Sequence, residues 1–257
     1  MARGGPKLHH RRRYELGQSF QDGGEHYDRV RPGYPADSAD WLVGSVRRAG
    51  GASDAADIGA GTGKFTALLV QRGLAVSAVD PSEDMLTQLR LALPGVPAFV
   101  GTAEATGLAD EAFDVVSVAQ AWHWCDPLLA STELARILRQ GGVLGLLWNQ
   151  LDTSVPWVHR LSRIMHAGDV HKPDFRPVVG PEFEGLESHL TRWEDPVTTG
   201  DIIQLAKSRS YYLAAGESTR AKVMANLDWY LHEHLSHSPS DVLELPYLTQ
   251  TWRAFKT

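Results

Sequence analysis

The chain has 257 residues, 43% hydrophobic and 22% charged, enough to bury the core of one large α/β domain or of a domain with a modest appendage. Its formal net charge of −6 argues against a nucleic-acid partner, which usually meets a basic face. Cys125 is the single cysteine, so an intramolecular disulfide and a cysteine-ligated zinc site are excluded. No apolar run approaches the roughly 18 residues of a spanning helix, and no signal-peptide core follows the basic N-terminus. The expectation is therefore a cytoplasmic protein with no membrane partner, as a monomer or homodimer.

Residues 1–17, with His9-His10 and Arg11-Arg12-Arg13, are expected to form a flexible basic tail, and residues 18–257 a single domain. Ala36–Arg48 reads as a helix with Ala39, Leu42, Val43 and Val46 on one face. From about residue 54 to 148, short apolar runs alternate with amphipathic helical patterns, the signature of βαβ units and a parallel sheet. Strands are expected at Ala55–Ile58, Ala75–Val79, Ala98–Val100, Phe113–Ala119 and Val143–Trp148. Before the last of these lies the clearest helix. Asp126 caps it, Pro127 takes its first position, Ala130, Leu134, Ile137 and Leu138 form its buried stripe, and Gly141-Gly142 is expected to stop it. Beyond Trp148 the alternation weakens. Val155–Ala167 and Glu217–His232 read as helices, His189–Trp193 and Tyr247–Phe255 as extended segments. The last third is expected to complete the sheet and to lay a cover, at about 150–240, over its ligand edge.

The chemistry-bearing motif is Asp57-Ile58-Gly59-Ala60-Gly61-Thr62-Gly63. A strand ends in an acid and runs into a glycine turn, and a helix with Phe65, Leu68 and Leu69 follows. Glycine lets the backbone turn sharply and approach a ligand, because there is no Cβ in the way. The next strand ends in Asp80, 21 residues after Gly59, where a carboxylate is placed to accept hydrogen bonds from ribose hydroxyls. A dinucleotide fingerprint needs its third glycine at position 64, which is Lys64. The pattern is Gly-x-Gly-x-Gly flanked by two acids.

Asp57–Gly63 resembles the first motif of the class I methyltransferases, and Val79-Asp80-Pro81-Ser82-Glu83-Asp84-Met85-Leu86 resembles their second. Gly101-Thr102-Ala103-Glu104 and Phe113-Asp114-Val115-Val116 are similar to the third and fourth blocks of the small-molecule branch. Ala119-Gln120-Ala121-Trp122-His123-Trp124 and Tyr27-Asp28-Arg29-Val30-Arg31-Pro32-Gly33-Tyr34-Pro35 resemble segments of the relatives of trans-aconitate methyltransferase. The likeness covers about residues 18 to 165. It implies a Rossmann-like fold, a seven-stranded, mostly parallel sheet with flanking helices and a helical C-terminal cover, and S-adenosyl-L-methionine as cofactor. It further implies roles residue by residue. Gly59, Gly61 and Gly63 would pack against the methionine and ribose parts, Asp57 would reach the methionine amino group, and Asp80 would hold the ribose hydroxyls. Met85 would lie against the adenine, Ala103 and Glu104 would border its edge, and Ala119 would line the site. Tyr27 and Arg31 would either close over the methionine carboxylate or brace the first helix. Thr102 stands where the family often has an acid that grips the adenine amino group.

Methyl transfer from a sulfonium is an in-line displacement with an activated leaving group, so the protein mainly aligns and desolvates the reactants. A general base is needed only for an acceptor that arrives protonated. His123 is the candidate base, or else orients its loop or contacts the cofactor. Trp122 and Trp124 either wall the pocket or belong to the core. Cys125 lacks a visible activating arrangement. Trp148 and Asn149 end the fifth strand with Asp152 close behind, as acceptor contacts or, for Asp152 or Ser154, as a helix cap, and Arg209, Tyr211 and Tyr212 lie in the expected cover. His232 and His234 on a helix point about 200° apart, which is not a metal-binding pair, so no metal is expected. The leading expectation is a small-molecule methyltransferase. Its rivals are a methyltransferase of RNA or DNA, disfavoured by the charge and by the missing Asn/Asp-Pro-Pro-aromatic motif after the fourth strand, and a cofactor-binding module without turnover.

Overall fold

The computed structural model describes residues 31–44, 46, 53–166 and 174–257. The basic tail, Tyr27, Arg47, Arg48 and Ala167 lie outside the described residues. Helix α1 spans Ala36–Val43 and turns Ala39 and Leu42 inward. Strand β1 (Asp54–Ile58) follows, then α2 (Lys64–Gln71), β2 (Ala75–Asp80), α3 (Glu83–Ala92), the short β3 (Ala98–Val100) and β4 (Phe113–Ala119). After a single 3-10 turn at Trp122–Trp124 come α4 (Pro127–Ile137), β5 (Leu138–Leu151) and α5 (Pro156–Ile164). The last part holds β6 (Phe183–Thr198), α6 (Thr199–Lys207), α7 (Ser210–Ala214), α8 (Glu217–Asp228) with a π-helical extension at Trp229–His234, and β7 (Val242–Lys256).

The sheet is the expected seven-stranded, mostly parallel one, in the order β3-β2-β1-β4-β5-β7-β6. Only β7 runs against its neighbours, pairing antiparallel with both β5 and β6. β1 lies between β2 and β4, parallel to each, and is covered on both faces, which is why it reads as a continuous run of buried residues rather than an alternation. Strand order reverses between β1 and β4, and in open α/β sheets ligands bind at such a point, at the carboxyl ends of the strands. One face of the sheet is packed by α1 and α2 through Leu42, Phe65 and Leu69. The α4 helix packs through Ala130, Leu134 and Ile137 into a separate core with Val116, Val118 and Leu144.

α1 ends at Val43 rather than Arg48 and α5 at Ile164 rather than Ala167, and two further boundaries depart from the sequence reading. α4 starts as expected, with Asp126 Oδ1 accepting from the N–H groups of Leu128 and Leu129 at 3.0 and 3.1 Å and Pro127 in the first turn. It stops at Ile137 rather than at Gly141-Gly142. Leu138 is buried as expected, but it is extended (ψ 142°), pairs with Phe113 of β4, and gives its carbonyl to Lys256 Nζ at 2.8 Å. The sheet captures the chain before the glycines, which lie inside β5. The second departure is the helix expected at Glu217–His232, whose last turn widens into the π-helical segment.

β6 and β7 are also longer than the extended segments read from sequence. β6 is the outer strand of the sheet, and its exposed polar positions, such as Glu187 and Arg192, hide the strand pattern. Where β5 ends the chain enters α5, and where β6 ends it enters α6, whose capping box joins Thr198 and Asp201. Helices α5, α6 and α8 therefore gather at the carboxyl edge of the sheet. They share a separate apolar core with Val158, Leu161, Leu205, Leu227 and Tyr230, and the Tyr230 hydroxyl donates to Trp157 O at 2.9 Å. Among the described residues no helix is long and apolar enough to cross a membrane.

Candidate functional site

The glycine turn after β1 takes three left-handed residues in alternation, Gly59 (φ 68°), Gly61 (φ 56°) and Gly63 (φ 91°). The N–H groups of Gly59 and Ala60 both donate to Val79 O, at 2.8 and 3.1 Å, so the turn is pinned to β2. The three glycines face different things. A Cβ on Gly59 would lie 2.5 Å from Ala121 Cβ, and one on Gly63 would lie 2.9 Å from Leu89 Cγ and 3.1 Å from Leu93 Cδ1. A Cβ on Gly61 would meet nothing within 4 Å. Gly61 alone presents bare backbone to open space, while Gly63 lets α2 pack closely on α3.

Two buried carboxylates flank this turn. Asp57, 1% exposed, accepts from Thr66 Oγ1 at 2.6 Å on one oxygen and from Ser117 Oγ at 2.7 Å on the other. Burial pushes its carboxyl up to about 6, against the pull of these hydroxyls and of the Thr66 N–H, and the charge of Asp80 adds to the rise. Asp80, 7% exposed, accepts from the N–H of Gly61 at 2.9 Å and from the N–H of Ser82 at 2.8 Å. Burial raises it as well, opposed by these two backbone bonds. Asp80 thus ties the glycine turn to the start of α3, where Ser82 Oγ caps the Met85 N–H at 3.4 Å. Each carboxylate oxygen has a second lone pair beyond the bond it already accepts.

The other sequence-derived positions divide into those near this end of the sheet and those committed elsewhere. Met85 is buried in the first turn of α3, and Ala103 is buried beyond β3. Ala119 ends β4, and Gln120 turns the chain with φ 59°, donating its N–H to Leu147 O and its Nε2 to Asn149 O. Glu104 Oε1 accepts the Asp126 N–H at 2.8 Å, which commits it to the start of α4. Trp122 is buried in the core and donates Nε1–H to Val178 O at 3.1 Å. His123 is exposed, its ring 4.6 Å from that of Trp124. Burial and the Glu104 carboxylate push the Cys125 thiol up to about 12, which leaves it inert as a nucleophile.

Asn149 is held rather than free. It donates Nδ2–H to Gly33 O at 2.7 Å and accepts from Thr249 Oγ1 at 2.6 Å. Arg31 donates Nη2–H to Ser208 O at 2.8 Å, so the segment before α1 is strapped to both β5 and the end of α6. Asp152 Oδ1 accepts from the N–H and the hydroxyl of Ser154, closing the turn into α5. Arg209 is buried, Tyr212 packs on the cover's core, and the ring of the half-exposed Tyr211 lies 4.0 Å from that of His166. His232 Nδ1 lies 2.8 Å from His237 O, and among the described residues no group of three or more His, Cys, Asp or Glu could hold a metal ion.

Sequence reasoning missed Thr66, Ser117 and Ser82. Ser117 had a signal, as a lone hydroxyl inside the apolar run Phe113–Ala119. The bare Gly61 backbone and the acids on either side suit a ligand that carries a ribose diol and an ammonium group.

The methyltransferase domain family matches residues 56–146. An uncharacterized methyltransferase of Mycobacterium tuberculosis is 42% identical over 243 residues, covering 94% of this chain and 97% of its own length. The malonyl-[acyl-carrier protein] O-methyltransferase of Methylococcus capsulatus is 44% identical over 94 residues, 34% of each chain. A solved structure from Anaeromyxobacter dehalogenans, provisionally assigned as a type II methyltransferase, superposes with a TM-score of 0.65 at 28% identity, covering 88% of this chain and 97% of that one.

Proposed function

The chain belongs to the class I S-adenosylmethionine-dependent methyltransferases, and from that premise we propose that it methylates a small-molecule acceptor held between the carboxyl edge of the sheet and the helical cover. The observation that carries this reading is the cover itself. Helices α5, α6 and α8 stand at the carboxyl ends of β5 and β6 with their own apolar core. Arg31 and Asn149 strap the segment before α1 to the same edge. A helical cover at this edge suits a metabolite better than a duplex, and a net charge of −6 points the same way.

In this reading Gly61 brings the backbone to the cofactor, Asp80 accepts from its ribose hydroxyls, and Asp57 faces its amino group. Met85, Ala103 and Ala119 line the adenine side, and Arg31 stands at the methionine end. Gly59, Gly63 and Glu104 contribute by packing and bracing, as their contacts indicate. The bound sulfonium supplies an activated methyl group. The chain's residues hold the acceptor in line and keep water out. His123, exposed on the turn after β4, is the imidazole available to take a proton from an acceptor that arrives protonated, and a carboxylate acceptor needs no such step. The likeness to trans-aconitate methyltransferase relatives and the local similarity to an O-methyltransferase make a carboxylate oxygen the first acceptor to try.

The test is a transfer assay with methyl-labelled cofactor, run in parallel against a metabolite extract and against RNA and DNA. Label in a small-molecule fraction supports the proposal. Label recovered only in nucleic acid refutes it.

A further inference from the structure

Asp57 is the fourth residue of β1, and parallel pairing sets it beside Ser117 of β4 on one side and Ala78 of β2 on the other. The glycine turn then returns the chain so that Thr66, in the first turn of α2, lies against the same carboxylate. Three remote pieces of sequence thus converge on one acid. Both hydroxyls are fully buried, and each donates to a different oxygen, Thr66 Oγ1 to Oδ2 and Ser117 Oγ to Oδ1. A donor on each oxygen sets the plane of the group. We propose that Thr66 and Ser117 are positioning residues, which hold the Asp57 carboxylate in place as the counter-charge to the amino group of the bound cofactor. This rests on the reading that Asp57 faces that amino group.

The electrostatics follow from what surrounds Asp57. Desolvation favours its neutral form, and so does the like charge of Asp80 across the glycine turn at the end of β2. β4 and α2 present neutral hydroxyls, and these, with the Thr66 N–H, are what favour the charged form. At about 6, the balance leaves Asp57 mostly ionised at neutral pH and mostly protonated at pH 5. A neutral Asp57 has no charge to offer an ammonium group. On this proposal, two buried hydroxyls tune cofactor affinity through Asp57. If the hydroxyls only fill polar space in the core, their removal costs stability and leaves the pH dependence of binding where it was.

The experiment measures S-adenosylhomocysteine affinity by calorimetry from pH 5 to 8.5, with melting temperature alongside, for wild type, Thr66→Val, Thr66→Ser, Ser117→Ala and Asp57→Asn. Wild-type affinity is expected to fall about tenfold from pH 7 to pH 5 as Asp57 takes up its proton. Losing one hydroxyl should move that fall upward by about one to two pH units, given the usual worth of a hydrogen bond to a charged group. At pH 7 each variant should then bind about 2- to 10-fold more weakly and recover towards pH 8.5, while Thr66→Ser stays near wild type. Lower melting temperatures with an unmoved pH midpoint in Thr66→Val and Ser117→Ala would overturn the proposal, and either variant suffices if the other fails to fold. Asp57→Asn binding as tightly as wild type would overturn instead the reading of Asp57 on which it rests.

Discussion

Replacing Gly61 or Gly63 with alanine separates the cofactor surface from the packing that supports it. Both residues are left-handed, so an L-residue costs roughly 1–2 kcal/mol in backbone strain at either position. At Gly61 nothing else is added, because a Cβ there meets no protein atom within 4 Å. For a chain of this size the loss corresponds to a fall in melting temperature of roughly 2–8 °C. On the proposed reading, the new methyl occupies the space where ligand and backbone meet. Overpacking of one methyl costs about 1–3 kcal/mol, or roughly 5- to 150-fold in affinity. At Gly63 the methyl would lie 2.9 Å from Leu89 Cγ and 3.1 Å from Leu93 Cδ1, so α2 must move away from α3. Strain and overpacking then add to roughly 2–5 kcal/mol of stability, and binding suffers only through the displaced turn. Differential scanning fluorimetry and calorimetry with S-adenosylhomocysteine on both variants decide the matter. Wild-type affinity in Gly61→Ala would refute the assignment of this open space to the cofactor.

In the proposed site Asp80 carries binding in addition to structure, since its two oxygens already accept from Gly61 and Ser82. Asp80→Ala should lower both the melting temperature and the S-adenosylhomocysteine affinity, by roughly 1–3 kcal/mol in each, and Asp80→Asn by less, since its amide oxygen still accepts; an affinity unchanged in both variants would remove Asp80 from the site. Asp57 should behave in the opposite sense for stability. Its folded value near 6 lies above its ordinary 3.8, so the folded protein holds the proton to higher pH than the unfolded chain, and stability falls as pH rises from about 4 to about 6 and then levels off. The ionised group therefore costs the ligand-free protein on the order of 3 kcal/mol at pH 8, and Asp57→Asn should melt several degrees higher there while binding far more weakly. A lower melting temperature for Asp57→Asn at pH 8 would contradict this account.

The sequence by itself determined the local features of the site. The acid-flanked glycine run, the second acid 21 residues on, the strands to about residue 148 and the Asp126-Pro127 helix start are all contained in short stretches, where turn chemistry and periodicity act on neighbouring residues. Long-range pairing decided the rest. Leu138 reads as a helical residue by spacing, yet the β4 edge captures it, because hydrogen bonding to Phe113 and Lys256 outweighs one more helical turn. The lengths of β6 and β7 depend on pairing with each other and with β5, and the exposed side chains of β6 carry no apolar pattern that could announce it. The three glycines look equivalent in sequence and differ only in what their missing Cβ atoms would meet, α3 for one and open space for another. Asp57 could be read as an acid beside a ligand. That its two oxygens are taken by Thr66, nine residues on, and by Ser117, sixty residues on, follows only from the register of β1 with β4 and the return of α2, and no local signal carries information over that distance.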